Sequence, residues 1–329
     1  MVISNAPKVK THIFTGLEPV RSGKKFQTPV LLLTFNRPDS TQAVFNEIRK
    51  ARPVQLVVAT DVPRKDHLED IEKSRKVLEI IWQIDWDCTL SILSRDENLG
   101  SKIGIIAAID WFFSQFDEGI ILEDDCVPDQ SFFLFCQELL ERYRDDKRIT
   151  MISGNNYQFG KRRTNYSYYF SRYTLCWGWA TWKRAWQYHD INMKQWPSIR
   201  EGSWLNDILH DQKTVKYWTS YFEDTYKTEI YSWDYQWLFI SWIQGGLCIQ
   251  PNTNLVSNIG FNEFATNTKD KKNILSNVPV SRLQFPLNHP PFIIRDDQAD
   301  QVTQKIVFPI ATFISKTRYL LGHMLVGRV

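Results

Sequence analysis

The chain has 329 residues and a mass of 38.8 kDa, enough to bury one large core or two closely packed ones. Forty Lys and Arg against 37 Asp and Glu, with no run of five basic residues, argue against a dedicated nucleic-acid-binding protein. Five scattered cysteines without C-x-x-C spacing favour reduced cytosolic thiols over a disulfide framework. Neither a signal peptide nor a transmembrane helix is predicted, because no sufficiently long apolar segment occurs.

Residues 1–27 lack periodicity, which predicts an irregular lead-in. From there to about residue 155, apolar strands alternate with amphipathic helices, as in a doubly wound α/β fold with a largely parallel sheet. Strands are predicted at 29–35, 54–60, 89–93, 119–122 and 149–153, and helices at 40–50, at 66–84, around 105–116 and around 132–143.

Two local details are predicted within these helices. Asp39 and Gln42 have the spacing of a capping box at the start of the first helix. In the second helix, Leu68, Ile71 and Ile81 recur at helical spacing and predict its buried face.

The acidic stretch after the fourth predicted strand is the most informative feature of the sequence. Glu123, Asp124 and Asp125 follow the apolar run 119–122. Alternation along an extended chain places Glu123 and Asp125 on one face, and the carboxyl end of a central strand is where open α/β sheets bind ligands. Such a cluster requires a cation or hydrogen-bond donors, unless it is simply a solvated acidic turn.

The second half of the chain is rich in aromatic residues. Ten of the thirteen tryptophans lie between Trp177 and Trp242. They predict either an aromatic core or flat surfaces for sugar rings, and the sequence favours neither. An apolar helix is predicted from residue 232 to 243. Apolar residues on one helical face near residues 313–325 indicate an amphipathic helix, either packed on the body or lying on a membrane surface.

The signatures G-x-G-x-x-G, G-x-x-x-x-G-K-[ST], H-E-x-x-H and G-x-S-x-G are all missing from the sequence. Instead, the three acids, the following Val127-Pro128-Asp129, a Phe-rich helix and the later Trp233-Asp234 resemble metal-dependent glycosyltransferases of the GT-A fold. The nearest likenesses are the N-acetylglucosaminyltransferase that branches N-glycans and its bacterial nucleotide-diphospho-sugar transferase relatives. The resemblance runs from about residue 28 to residue 269.

The resemblance implies a GT-A (Rossmann-like), doubly wound α/β fold with a mostly parallel sheet. Residues 28–155 would bind the nucleotide sugar, and the aromatic-rich residues 156–285 would form the acceptor-binding and catalytic half of the same domain. Residues 286–329 would be a C-terminal tail with the amphipathic helix.

Site residues follow from the resemblance position by position. Asp234 corresponds to the general base of an inverting transfer, although an aspartate there also commonly caps a helix. The alternative to nucleotide binding for Arg37 and Asp61 is a role in the local turn. For Lys102, which lies at a helix N-terminus, the alternative is a solvated side chain. The resemblance assigns the nucleotide to Phe35, Arg37, Asp61, Lys102 and Asp124, the donor sugar to Glu123, Trp177, Gly178, Trp179 and Trp233, and a metal ion to Asp125.

The expected cofactor is Mn²⁺ or Mg²⁺, since both prefer hard oxygen ligands. Many bacterial relatives carry a Thr-His-Thr triplet whose histidine can reach the metal or the diphosphate. Here the triplet reads Thr266-Asn267-Thr268, so Asn267 can offer a carbonyl oxygen but no imidazole nitrogen. This departure leaves weak or dispensable metal binding open.

The sequence thus predicts an inverting glycosyltransferase that uses a nucleotide sugar, with UDP favoured, and a saccharide acceptor that is either free or lipid-linked. Bacterial surface-polysaccharide or glycan synthesis in the cytoplasm, with or without peripheral contact to the inner face of the membrane, is the expected setting. The alternatives are a non-catalytic binding protein for saccharides or nucleotide sugars, and a sugar-1-phosphate nucleotidyltransferase. The second lacks the Gly-rich loop expected after its first strand.

Overall fold

The computed structural model describes residues 8–15, 25–261, 270 and 272–310. Its strands are β1 (Lys8–Phe14), β2 (Val30–Thr34), β3 (Gln55–Thr60), β4 (Cys88–Ser94), β5 (Glu118–Glu123), β6 (Cys126–Pro128), β7 (Ile149–Ser153), β8 (Tyr168–Ser171), β9 (Trp179–Trp182), β10 (Leu247–Pro251) and β11 (Val256–Asn258). Its helices are α1 (Pro38–Ala51), α2 (Leu68–Ile81), α3 (Gly100–Gln115), α4 (Gln130–Arg142), α5 (Lys183–Trp186), α6 (Trp196–Glu201), α7 (Leu205–Leu209), α8 (Gln212–Tyr226), α9 (Asp234–Ile243) and α10 (Asp297–Val307).

A nine-stranded mixed sheet has the order β1-β4-β3-β2-β5-β9-β7-β10-β8. Strands β2, β3, β4, β5, β7 and β10 run in one direction, whereas β1, β8 and β9 run in the other. Helices α1, α2 and α4 pack on one face, and α3, α8 and α9 pack on the other. The predicted α/β class with a mostly parallel sheet is therefore confirmed.

The central strand β2 is apolar on both faces because helices cover both sides of the sheet. It pairs in parallel with β3 and β5, so all three strands end at one edge. The predicted capping box of Asp39 and Gln42 is wrong: α1 begins at Pro38, and Arg37 is the N-cap without a side-chain cap bond. Proline suits the first helical position because it lacks the N–H that would need a partner.

The predicted buried face of α2 is wrong in its first turn. Leu68 is 78% exposed and Ile71 is 57% exposed. The helix instead buries Asp70 and Ser74 towards the loop after β2, where Ser74 donates to the carbonyl of Phe35 at 3.2 Å. These polar side chains are buried because the loop supplies partners that helical periodicity does not reveal.

The predicted irregular lead-in contains a strand. β1 pairs antiparallel with β4 over its whole length, from Lys8 opposite Ser94 to Phe14 opposite Cys88. It lies at the edge of the sheet and is largely exposed, so its residues lack the apolar alternation of a half-buried strand.

The tryptophans of the second half mainly form a core. Eight of the ten between Trp177 and Trp242 are buried, whereas Trp177 is partly buried and Trp204 is exposed. The predicted helix at 232–243 is present as α9, and α10 lies in the segment predicted as a C-terminal tail. The amphipathic helix predicted near 313–325 lies outside the described residues. No helix within the described ranges is both long and apolar enough to cross a membrane.

Candidate active site

A cavity of about 850 Å³ opens where the carboxyl ends of β2, β3 and β5 meet the first turns of α3 and α9. Parallel strands bring their carboxyl ends to one edge, which is why loops distant in sequence converge here. Ten of the predicted site residues line the cavity: Phe35, Arg37, Asp61, Lys102, Glu123, Asp124, Asp125, Trp177, Trp233 and Asp234.

The acid cluster at the end of β5 is bridged by one arginine. Arg37 Nη1 donates to Asp125 Oδ2 at 2.7 Å and lies 3.3 Å from Asp124 Oδ1. Both aspartates are buried, and the absence of a side chain at Gly260 allows the close approach, since a Cβ there would lie 1.9 Å from Asp125 Oδ2. Two carboxylate oxygens therefore converge on a single cationic group.

Burial and mutual repulsion make the acids reluctant to ionise. Burial, followed by the charges of Asp125 and Asp124, raises the pKa of Glu123 to about 8. Burial raises the pKa of Asp124 to about 7, even though the charge of Arg37 acts in the opposite direction. The cluster is thus arranged to be completed by additional positive charge.

Asp234 is the first residue of α9 and lines the same cavity as the acids at the end of β5. Burial raises the pKa of its carboxyl, while the Ser232 hydroxyl and the backbone N–H groups of Asp234 and Tyr235 act to lower it. Its charge contributes to the raised pKa of Glu123, so the two carboxyls sense each other. Trp233, rather than Asp234, is the N-cap, so the predicted alternative of a capping aspartate is wrong, although the helix N-terminus does stabilise this carboxylate.

Asp61, which follows β3, secures the start of α3. Its Oδ2 accepts hydrogen bonds from the backbone N–H groups of Leu99 at 2.9 Å and Gly100 at 3.1 Å. Its Oδ1 is buried and has no partner among the described residues. Burial is the main cause of its raised pKa. Asp61 thus has a structural role at this turn and one oxygen left to accept a hydrogen bond.

Lys102 is the third residue of α3 and is buried. With the amide of Gln236 oriented to satisfy its surroundings, Gln236 Oε1 accepts from Lys102 Nζ at 2.9 Å. Burial lowers the pKa of the Lys102 ammonium. The predicted alternative of a solvated side chain is therefore wrong.

Two predicted donor-sugar residues lie behind the cavity wall. Gly178 has a φ of +73°, and a Cβ at this position would lie 2.7 Å from Val256 Cγ2, so only glycine fits there. Trp179 is fully buried in β9 and stacks on Trp233 with ring centroids 5.6 Å apart. These residues support the wall, while Trp177 and Trp233 line it. Asn267, which was predicted as a possible metal contact, lies outside the described residues.

Sequence reasoning missed two arginines that line the cavity. Arg95 follows β4, and its Nε and Nη2 are buried with no partner in the described parts of the chain. Arg64 forms a fork with the buried Asp70 and lies over the ring of Phe35, 5.6 Å from its centroid. Arg95 is a charged residue just beyond a parallel strand, so the rule applied to the acid cluster, that ligands bind at the carboxyl ends of the strands, would have found it.

A hard divalent cation fits the residues present. Within the described residues, no group of three or more His, Cys, Asp or Glu side chains has the arrangement of a complete metal site. The oxygens of Asp124 and Asp125 nevertheless converge on one cationic group, and Mg²⁺-like ions are commonly held by one or two carboxylates together with substrate phosphates. Asp125, with Asp124 beside it, would hold such an ion.

The chain matches no protein-family model, and it matches no curated protein sequence. The functional argument therefore depends on the residues of this cavity.

Proposed function

We propose that this chain is an inverting glycosyltransferase of the GT-A type that transfers a sugar from UDP to a hydroxyl group of a saccharide. The observation that carries the proposal is the shared cavity: the acid cluster at the end of β5, Arg37 and Asp234 all line it. Its size suits a ligand of this class, since small-molecule sites typically enclose about 300–1,000 Å³. Cysteines that are all free agree with an enzyme of the cytoplasm.

In the proposed reaction, Asp234 accepts the proton of the acceptor hydroxyl as its oxygen forms a bond to the anomeric carbon. The bond from that carbon to the phosphate oxygen breaks, and UDP leaves with the electron pair. Attack on the face opposite the leaving group inverts the configuration. A positioned general base of this kind typically contributes about 10²–10⁴ in rate.

Raised basicity suits Asp234 to this role. Burial raises the pKa of its carboxyl, so the carboxylate is a stronger base than an exposed aspartate would be. Trp233 and Tyr235, which also line the cavity, restrict the access of water to it.

The opposite wall provides the donor site. Arg37 supplies positive charge for a diphosphate, and Asp125 and Asp124 would hold a divalent cation at the same place. When bound, such a cation supplies Lewis-acid stabilisation of the departing diphosphate. Among the described residues, Oδ1 of Asp61 and Nη2 of Arg95 have no partner, so they offer an acceptor and a donor for the base or ribose.

A panel of nucleotides and nucleotide sugars, each with and without Mn²⁺, tests the proposal by thermal shift. UDP and at least one UDP-sugar should raise the melting temperature, since a ligand at 100 times its Kd stabilises by about 2.7 kcal/mol. Asp125→Ala should abolish the Mn²⁺-dependent part of the shift.

The protein should then hydrolyse the stabilising UDP-sugar slowly. NMR should show that the released sugar has the anomeric configuration opposite to that of the donor. Failure of every nucleotide to stabilise the protein would contradict the proposal. Stabilisation without hydrolysis or transfer to any saccharide tested would favour the non-catalytic binding protein.

A further inference from the structure

Lys102 is a buried cation without an acidic partner among the described residues. Burying a charge in this way is unfavourable unless hydrogen bonds compensate for the lost water. Its ring contact, with Nζ 6.0 Å from the centroid of Tyr231, is too long to compensate alone. The amide oxygen of Gln236 at 2.9 Å is therefore its main described partner.

Gln236 transmits this contact to the loop that precedes Asp234. Its side chain is fully buried, and its Nε2 donates to the carbonyl of Ser232 at 2.8 Å and to that of Trp233 at 3.2 Å. One amide thus joins the ammonium of Lys102 to two consecutive carbonyls. A hydrogen bond to a charged group is roughly twice as strong as one between neutral groups, so the contact with the ammonium is the strongest of the three.

The other side of this loop is also held. Trp186 packs against Trp233 with ring centroids 6.3 Å apart, and the ring of His189 stacks on Trp186 with centroids 4.3 Å apart. The Ser232 hydroxyl donates to Asp234 Oδ1. The position of the Asp234 carboxylate therefore depends on where the carbonyls of residues 232 and 233 are fixed.

A phosphate-binding role fits Lys102 less well. The N–H groups at the start of α3, which would assist it in binding an anion, are already bonded to Asp61 in the case of Leu99 and Gly100. Although Lys102 lines the cavity, the residue is only 4% exposed, and its ammonium already donates to a neutral amide.

We propose that Lys102 and Gln236 are positioning residues for Asp234. The ammonium orients the amide of Gln236, and the amide fixes the two carbonyls, which directs the Asp234 carboxylate towards the cavity. The inference rests on the proposed function, because it gives the base its geometry, and it assigns Lys102 to catalysis through Asp234 rather than to the diphosphate.

The test compares Lys102→Met, Gln236→Met and the double variant with wild type. Methionine replaces either side chain at similar length without a charge or an amide. Lys73→Met, an exposed lysine on α2, is the matched control. Isothermal titration with UDP and Mn²⁺ gives the Kd, and turnover of the active UDP-sugar gives kcat and KM.

Both single variants should bind UDP within about threefold of wild type and lose about 10–100-fold in kcat, the equivalent of one charge-assisted hydrogen bond. The double variant should be no worse than either single variant, since the two residues act in one chain of contacts. A tenfold or greater loss of UDP affinity in Lys102→Met with unchanged kcat would overturn the proposal. The proposal would also be overturned if the kcat losses of the two single variants multiplied in the double variant.

Hydrogen exchange separates this inference from the proposed function. Amides of residues 232–235 should exchange faster in both single variants than in wild type and the Lys73→Met control, whatever the protein turns over. Unchanged exchange there would refute the positioning role even if transfer is established. If Lys102→Met does not fold, Gln236→Met gives the decisive result alone: faster exchange supports the positioning role, and wild-type exchange contradicts it.

Discussion

Glu123→Gln should stabilise the protein at alkaline pH. The pKa of Glu123 is raised from 4.5 to about 8, so the folded protein holds this proton more tightly than the unfolded chain does. The resulting stability is fully present below about pH 4.5 and is lost as the pH rises to 8. At 1.36 kcal/mol per pKa unit, the free energy of unfolding would fall by at most about 5 kcal/mol over this range. The neighbouring acids share the repulsion, and water in the cavity screens it. The stabilisation expected from Glu123→Gln at pH 8 is therefore about 1–2 kcal/mol.

The assay is thermal unfolding followed by tryptophan fluorescence at pH 5 and pH 8. The variant should melt about 1.5–3 °C above wild type at pH 8 and within about 1 °C of it at pH 5. Glu141→Gln, which removes the same charge from an exposed site on α4, should show no such dependence. If wild type is as stable as Glu123→Gln at pH 8, repulsion within the acid cluster does not destabilise the folded protein, and the reasoning is refuted.

Three further variants, one of them with a matched comparison, test the surroundings of the cavity. Asp70→Asn should cost about 2 kcal/mol at pH 7, because a pKa lowered from 3.8 to about 2 stabilises the fold above pH 3.8, and urea unfolding should show this difference fading between pH 4 and pH 2. Arg37→Met should destabilise by about 1–3 kcal/mol at pH 8, where Asp125 and its neighbour lose their counter-charge, and Mn²⁺ should restore most of the loss in a thermal melt. Gly178→Ala should cost about 2–4 kcal/mol, since it adds a clash to an unfavourable φ of +73°. Gly160→Ala, with a φ of +81° and open space, should cost only about 1 kcal/mol by the same urea measurement.

The parallel strands could be predicted because burial on both faces gives each of them a continuous apolar run in the sequence. Strand β7 has the predicted bounds, and β2 departs from its prediction by one residue at each end, since both are apolar on both faces. The strand-end rule also predicted that the acid cluster at the end of β5 faces a ligand site, and these acids line the cavity.

Edge elements and short strands were missed for the opposite reason. β1 is exposed, and β8 and β9 have four residues each, so none carries a periodic signal. Their polar partners are remote in sequence: Arg172, just after β8, donates to the buried Asp300 of α10 at 3.2 Å.

The roles of buried polar side chains required the tertiary structure. Lys102 reads as a surface lysine in sequence, and its partner Gln236 lies on a mainly apolar helix. Similarly, Asp70 sits between exposed apolar neighbours on α2 and is buried because Arg64 and Asn36 bond to it. No local pattern in the chain encodes contacts between such distant segments.

Comparison of Asp234→Asn with wild type tests the central claim most directly. Asparagine keeps the size of the side chain but cannot accept the proton of the acceptor hydroxyl. The variant should bind UDP and Mn²⁺ within about threefold of wild type and lose about 10²–10⁴ in transfer rate, while Asp117→Asn, an exposed control before β5, keeps both. The wild-type rate should rise with pH through the raised pKa of Asp234 as its carboxylate forms. Full transfer activity in Asp234→Asn would contradict the account.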